Sequence, residues 1–144
     1  MPILGFHHAA VIVSDVKRSI EFYRDVVGMQ LLFTTEGSGD EFSRGVGVPC
    51  AEMQGAFMQL GNGTLEIINY VTPKGRPYDR KNNDLGVIHL CFTVTDIQRE
   101  YECLSNNGVS FNTAPNMITD GPMKGGKWCY FTGPDGEKLE LVEL

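Results

Sequence analysis

The chain has 144 residues, 42% hydrophobic and 21% charged, which is the composition of one soluble globular domain. Its net charge of −6 argues against a nucleic-acid partner, which needs a basic face. The longest apolar run, "AAVIV", is far too short to span a membrane, and "MPILGFHH" lacks the basic and apolar regions of a signal peptide, so a cytoplasmic location is expected.

The first element in chain order is "HAAVIV", short and rich in β-branched residues, which predicts a strand. "SDVKRSIEFYRDVVG" predicts a helix: Val16, Ile20, Tyr23 and Val27 recur at helical spacing, Asp15 is placed to cap the start, and Gly28 follows the end. "MQLLFTTE" reads as a second strand and "GSGDEFSRGVGVPCAEMQG" as a long loop. "AFMQL" and "TLEIINY" read as strands joined by the turn "GNG". The polar, Pro- and Gly-rich stretch 72–86 has linker composition. "VIHLCFTV" then predicts a strand and "DIQREYECLSNNG" a helix with Ile97, Tyr101 and Leu104 inward. The strands "VSFNTAP", "KWCYFT" and "KLELVEL" follow, the last two joined by the turn "GPDGE".

The order β-α-β-β-β therefore occurs twice, in 1–71 and 87–144, within a single α+β domain spanning 1–144. "HHAAVIVSDVKRS" and "IHLCFTVTDIQRE" are copies: His8 aligns with His89, Asp15 with Asp96, and Arg18 with Arg99. Two copies of one unit are too few for a solenoid and predict a pair facing each other across a pseudo-twofold axis.

Strand parity places the histidines. His8, Ala10 and Ile12 share one face, while Ala9, Val11 and Val13 share the other; His89, Cys91 and Thr93 oppose Leu90, Phe92 and Val94. The wholly apolar face belongs under the helix, so both histidines point away from it. The last strand of each copy carries one acidic residue inside an apolar run, Glu66 and Glu140. A single histidine at a strand start is most often a surface residue, and a single glutamate in an alternating strand most often faces water. The duplication changes that reading, because two facing units bring two imidazoles and two carboxylates to one point. A divalent metal would offset the cost of burying such carboxylates.

These residues resemble the vicinal oxygen chelate superfamily: glyoxalase I, methylmalonyl-CoA epimerase, extradiol dioxygenases, and the fosfomycin and bleomycin resistance proteins. "HAAVIVSDVKRSIEFYRDVVGMQLL" is similar to the family's opening strand-helix-strand, and "GPMKGG" with "GPDGEKLELVE" to the closing segment of glyoxalase I and its relatives. The resemblance implies paired βαβββ modules cupped around a metal, helices outside, with His8, Glu66, His89 and Glu140 as ligands. It also implies a catalytic glutamate, Glu66 or Glu140. His7 is expected on the helix side. Glyoxalase I and epimerases are the nearest subfamilies in pattern. Epimerases usually carry Gln where Glu66 stands, and bacterial glyoxalases an Arg where Ile12 stands, so the substrate is expected to differ from a glutathione adduct.

Two imidazoles and two carboxylates suit Zn, Ni, Co, Fe or Mn. The expected activity is that of a metal-dependent lyase, isomerase or epimerase. It would move a proton on a small carbonyl substrate through a metal-bound enediolate, with one glutamate as base. The alternatives are an extradiol-type dioxygenase or group-transfer enzyme, and a metal-free ligand-binding protein of the bleomycin-resistance kind. A homodimer is expected, because two-module chains leave open sheet edges. Lys74, Arg76, Arg80 and Lys81 could grip an anionic substrate or form a solvated loop. Asp120–Gly126 reads as a mobile flap or a plain turn, and Trp128 with Tyr130 as pocket lining or core. Cys50, Cys91, Cys103 and Cys129 form no CxxC pair and read as reduced core thiols.

Overall fold

The computed structural model describes residues 2–144 and divides at Pro77/Tyr78 into two compact units. The first contains β1 (Ala9–Ile12), α1 (Val16–Asp25), β2 (Gln30–Gly37), α2 (Asp40–Val46), β3 (Glu52–Leu60) and β4 (Gly63–Thr72). The second contains β5 (His89–Thr93), α3 (Ile97–Asn106), β6 (Asn116–Met117), β7 (Lys127–Thr132) and β8 (Lys138–Glu143). Each unit holds a four-stranded mixed sheet, ordered β1-β4-β3-β2 in one and β5-β8-β7-β6 in the other. β1 runs parallel to β4 and β5 parallel to β8, while the remaining pairs are antiparallel. The α+β reading holds.

Both long helices start where the aspartates are. Asp15 accepts from the Arg18 N–H at 3.0 Å and Asp96 from the Arg99 N–H at 3.0 Å, each satisfying one of the unpaired donors of a helix start. α1 packs on β3 and β4 through Tyr23, which is wholly buried together with Met58 and Ile67. Burying side chains of this size contributes about 1.5–3 kcal/mol each. Val11 and Val13 are buried and Ala10 and Ile12 exposed, as the alternation requires. Gly61 has φ +56° in the tight turn after β3, a conformation that favours glycine. In the second unit Ile97, Leu104, Phe131, Leu139 and Leu141 form the core.

Four expectations are corrected. The loop after β2 contains helix α2, with Asp40 and Glu41 in its first turn, Arg44 in its last, and Gly47 ending it at φ +71°. "VSFNTAP" is not a continuous strand. Phe111 bridges Phe131, but pairing resumes only at Asn116–Met117. The Asn116 amide bonds the Thr113 hydroxyl and the Ala114 carbonyl, so a local turn competes with the ladder. Of the four cysteines Cys129 alone is buried, and all four are free thiols. His8 stands just before β1 rather than within it.

Candidate metal centre

Each unit builds one histidine–glutamate pair by the same construction. In the first, β1 lies beside β4 with Ala10 opposite Glu66; His8 is one same-face step before Ala10, and its Nε2 lies 3.2 Å from Glu66 Oε2. In the second, Cys91 is opposite Glu140; His89 is one same-face step before Cys91, and its Nε2 lies 3.0 Å from Glu140 Oε2. Both glutamate side chains are 15% exposed, against 33% for His8 and 45% for His89. The carboxylates are thus the covered members and the imidazoles the open ones.

The pairs differ in their surroundings. Phe57 of β3 stands opposite Glu66, and its ring meets His8 edge-on at 5.3 Å. Tyr130 of β7 stands opposite Glu140, and its ring meets His89 edge-on at 5.1 Å. The Tyr130 hydroxyl is 3.4 Å from both ring nitrogens of His89, too long and too evenly shared for a strong bond to either. Burial, then the Glu140 charge, raises the pKa of the phenol. Cys91 keeps open surface, yet crowding around its thiol and then the Glu140 charge push it up to about 12. Cys129, buried on the opposite face, is pushed up to about 11 by burial and then by Glu140.

His7 is exposed rather than turned under the helix, and its Nδ1 lies 2.7 Å from Nδ1 of His8. One ring must donate and the other accept. With His8 Nδ1 so engaged, its Nε2 is the nitrogen left toward Glu66.

The donor chemistry fits a divalent cation. Each pair offers one imidazole nitrogen and one carboxylate oxygen, 3.0–3.2 Å apart. Two neighbouring ligands with bonds of about 2.1 Å keep a separation near 3 Å. Among the described residues no group of three or more His, Cys, Asp or Glu side chains is placed to hold a metal ion, so the structure brings the four residues together as two pairs. An open groove of about 320 Å³ lined by Glu36, Glu52 and Val71 includes none of the four.

The weaker sequence signals fare unevenly. Lys74, Arg76, Arg80 and Lys81 are all exposed. Residues 120–126 form hydrogen-bonded turns, Lys124 to Gly121 and Gly126 to Met123, with Gly125 tied to Ile118. Trp128 and Tyr130 meet at 5.7 Å on the His89 face. Of the two readings of Tyr130, the pocket-side one matches its place beside His89, while sequence reasoning missed Cys91 and His7 as neighbours of the pairs. The shared parity of Cys91 and His89 was the available signal.

Two units of like strand order, each a four-stranded mixed sheet presenting a histidine–glutamate pair, define the vicinal oxygen chelate type of protein. Residues 5–141 match the Glyoxalase/Bleomycin resistance protein/Dioxygenase superfamily, and the chain belongs to it. A 2-epi-5-epi-valiolone epimerase from Actinomyces sp. is 36% identical over 146 residues, covering 98% of this chain and 80% of that protein. Lactoylglutathione lyase of Schizosaccharomyces pombe is 32% identical over 150 residues, 99% of this chain but 48% of that protein, so the chain spans about half that relative's length. A glyoxalase family protein from Bacillus cereus shares the fold, with a TM-score of 0.83 at 22% identity over 99% of this chain and 95% of that one. No helix among the described residues is long and apolar enough to cross a membrane.

Proposed function

We propose that the chain is a metal-dependent epimerase or isomerase that relocates a proton beside the carbonyl of a small substrate. His8, Glu66, His89 and Glu140 are the donors for its divalent cation. The observation that carries this reading is the repetition: the same Nε2–Oε2 contact is built twice, from the same strand register, in two units. A divalent cation supplies Lewis acidity toward a carbonyl oxygen when bound.

The chain's own residues do the rest. His8 and His89 offer Nε2. Glu66 and Glu140 are the acidic groups beside the two imidazole donors, and one of them accepts the proton from carbon. Ile12, 55% exposed on the His8 face, puts an apolar side chain where a cationic grip on a glutathione carboxylate would be needed. That side chain, with the similarity to an epimerase over 80% of its length, favours epimerisation of a hydroxy-ketone over lysis of a glutathione adduct. Exposed Ile12 and Phe33 on this side of the first unit favour cover by a second copy, hence a homodimer. Three exposed free cysteines fit a reducing, cytoplasmic compartment.

The test is metal analysis of the natively purified protein, followed by incubation with cyclic and linear hydroxy-ketones in heavy water. Metal-dependent uptake of deuterium beside the carbonyl is expected. Oxygen consumption with aromatic diols and no exchange would overturn the reading in favour of dioxygenase chemistry.

A further inference from the structure

We infer that His7 is a positioning residue for His8. It accepts a hydrogen bond from the His8 Nδ1–H and so leaves Nε2 to bind the cation, a role that rests on the reading of His8 as a cation donor. The two Nδ1 atoms lie 2.7 Å apart, and the rings meet edge-on with centroids 5.0 Å apart. On the other side of the ring, Nε2 lies 3.2 Å from Glu66 Oε2. His8 is thus engaged at both ring nitrogens. Consecutive residues of a strand point to opposite faces, but β1 begins only at Ala9. Residues 7 and 8 precede the ladder, which lets both rings turn to the same side.

The second unit lacks this arrangement. There the residue before His89 is Ile88, which has no ring nitrogen, and β5 begins at His89 itself. The Tyr130 hydroxyl stands 3.4 Å from both ring nitrogens of His89 and selects neither. The repeat keeps His, Asp and Arg aligned but sets a second histidine in one copy alone. A neutral imidazole has one protonated nitrogen and one lone pair. A hydrogen bond given by one nitrogen fixes the other as the metal donor and sets how the ring is turned. Outer partners of this kind typically change metal affinity about 10–100-fold. His7 is exposed, so water competes for the contact and the lower end applies.

His7→Phe keeps the ring and removes both nitrogens. His7→Asn puts an amide oxygen, an acceptor, near the place of Nδ1. Mn²⁺ titration, with free ion read by electron paramagnetic resonance, should show Kd rising about tenfold in His7→Phe and returning most of the way in His7→Asn. An unchanged Kd in His7→Phe, or a rise that His7→Asn does not reverse, overturns the inference. So does a loss of binding in His7→Phe as complete as in His8→Ala, which would make His7 itself the ligand. A parent that binds no Mn²⁺ or other divalent ion removes the cation reading, and the metal-free protein then decides the contact. With ¹⁵N-labelled histidine, the Nδ1 resonance of His8 should move in His7→Phe and return in His7→Asn, while that of His89 stays. A His8 Nδ1 resonance that does not move overturns the inference.

Discussion

His89 Nε2 lies 3.0 Å from Glu140 Oε2, although fifty residues of chain separate them. The parallel pairing of β5 with β8 closes that gap, and the parallel pairing of β1 with β4 closes the matching one between His8 and Glu66 at 3.2 Å. Parallel neighbours require a crossover, and in each unit the crossover carries a capped helix that covers the apolar face and leaves the histidine face open.

Replacing the proton acceptor should separate chemistry from binding. Gln at Glu66 or at Glu140 keeps the side chain's size and one ligand oxygen but cannot accept a proton from carbon. One of the two variants should lose deuterium exchange by about 10²–10⁴-fold while retaining metal. Parent-rate exchange in both would remove the glutamates from the proton-transfer step.

Glu143 ties α3 to the sheet. Its Oε2 accepts from the Ile97 N–H at 2.7 Å, and its Oε1 lies 3.3 Å from Lys127 Nζ. The backbone bond first, then Lys127, hold its pKa below the ordinary value. Its stabilisation is therefore full at neutral pH and is lost as pH falls through the lowered value. Glu143→Gln should melt below the parent at pH 7, and the gap should close below about pH 4. A gap that persists unchanged at pH 3 would contradict this account.

Ser19 is wholly buried in α1, and its hydroxyl has no hydrogen-bond partner among the described residues. Alanine removes that unsatisfied group and has better helix propensity. Ser19→Ala should raise stability by about 1 kcal/mol in denaturant unfolding; a loss of that size would show that the hydroxyl is bonded in solution.

The sequence made the repeated parts of this architecture legible. Asp15 and Asp96 stand where caps are needed, and "GPDGE" stands where a turn is needed. Histidine and glutamate recur at matched places because both copies keep one register. Helix α2 escaped because its signal is charge and glycine placement rather than a strong apolar period, with Phe42 and Val46 as the apolar residues one turn apart. The Asn116 turn escaped because a side-chain amide outcompeted a strand that its composition favoured. Tyr130 and Phe57 look interchangeable in sequence. Only the strand register reveals that one faces a carboxylate with a hydroxyl and the other without.

The proposed homodimer is checked by sedimentation at micromolar concentration with metal bound. The exposed Ile12 and Phe33 predict a species of twice the chain mass. A purely monomeric boundary would show that these side chains stay in water.

Metal content of the parent and of the single alanine variants at His8 and His89 tests the central claim most directly. The account predicts a bound divalent ion in the purified parent and near-complete loss of it in each variant, with folding retained by circular dichroism. Full metal occupancy in both His8→Ala and His89→Ala would contradict it.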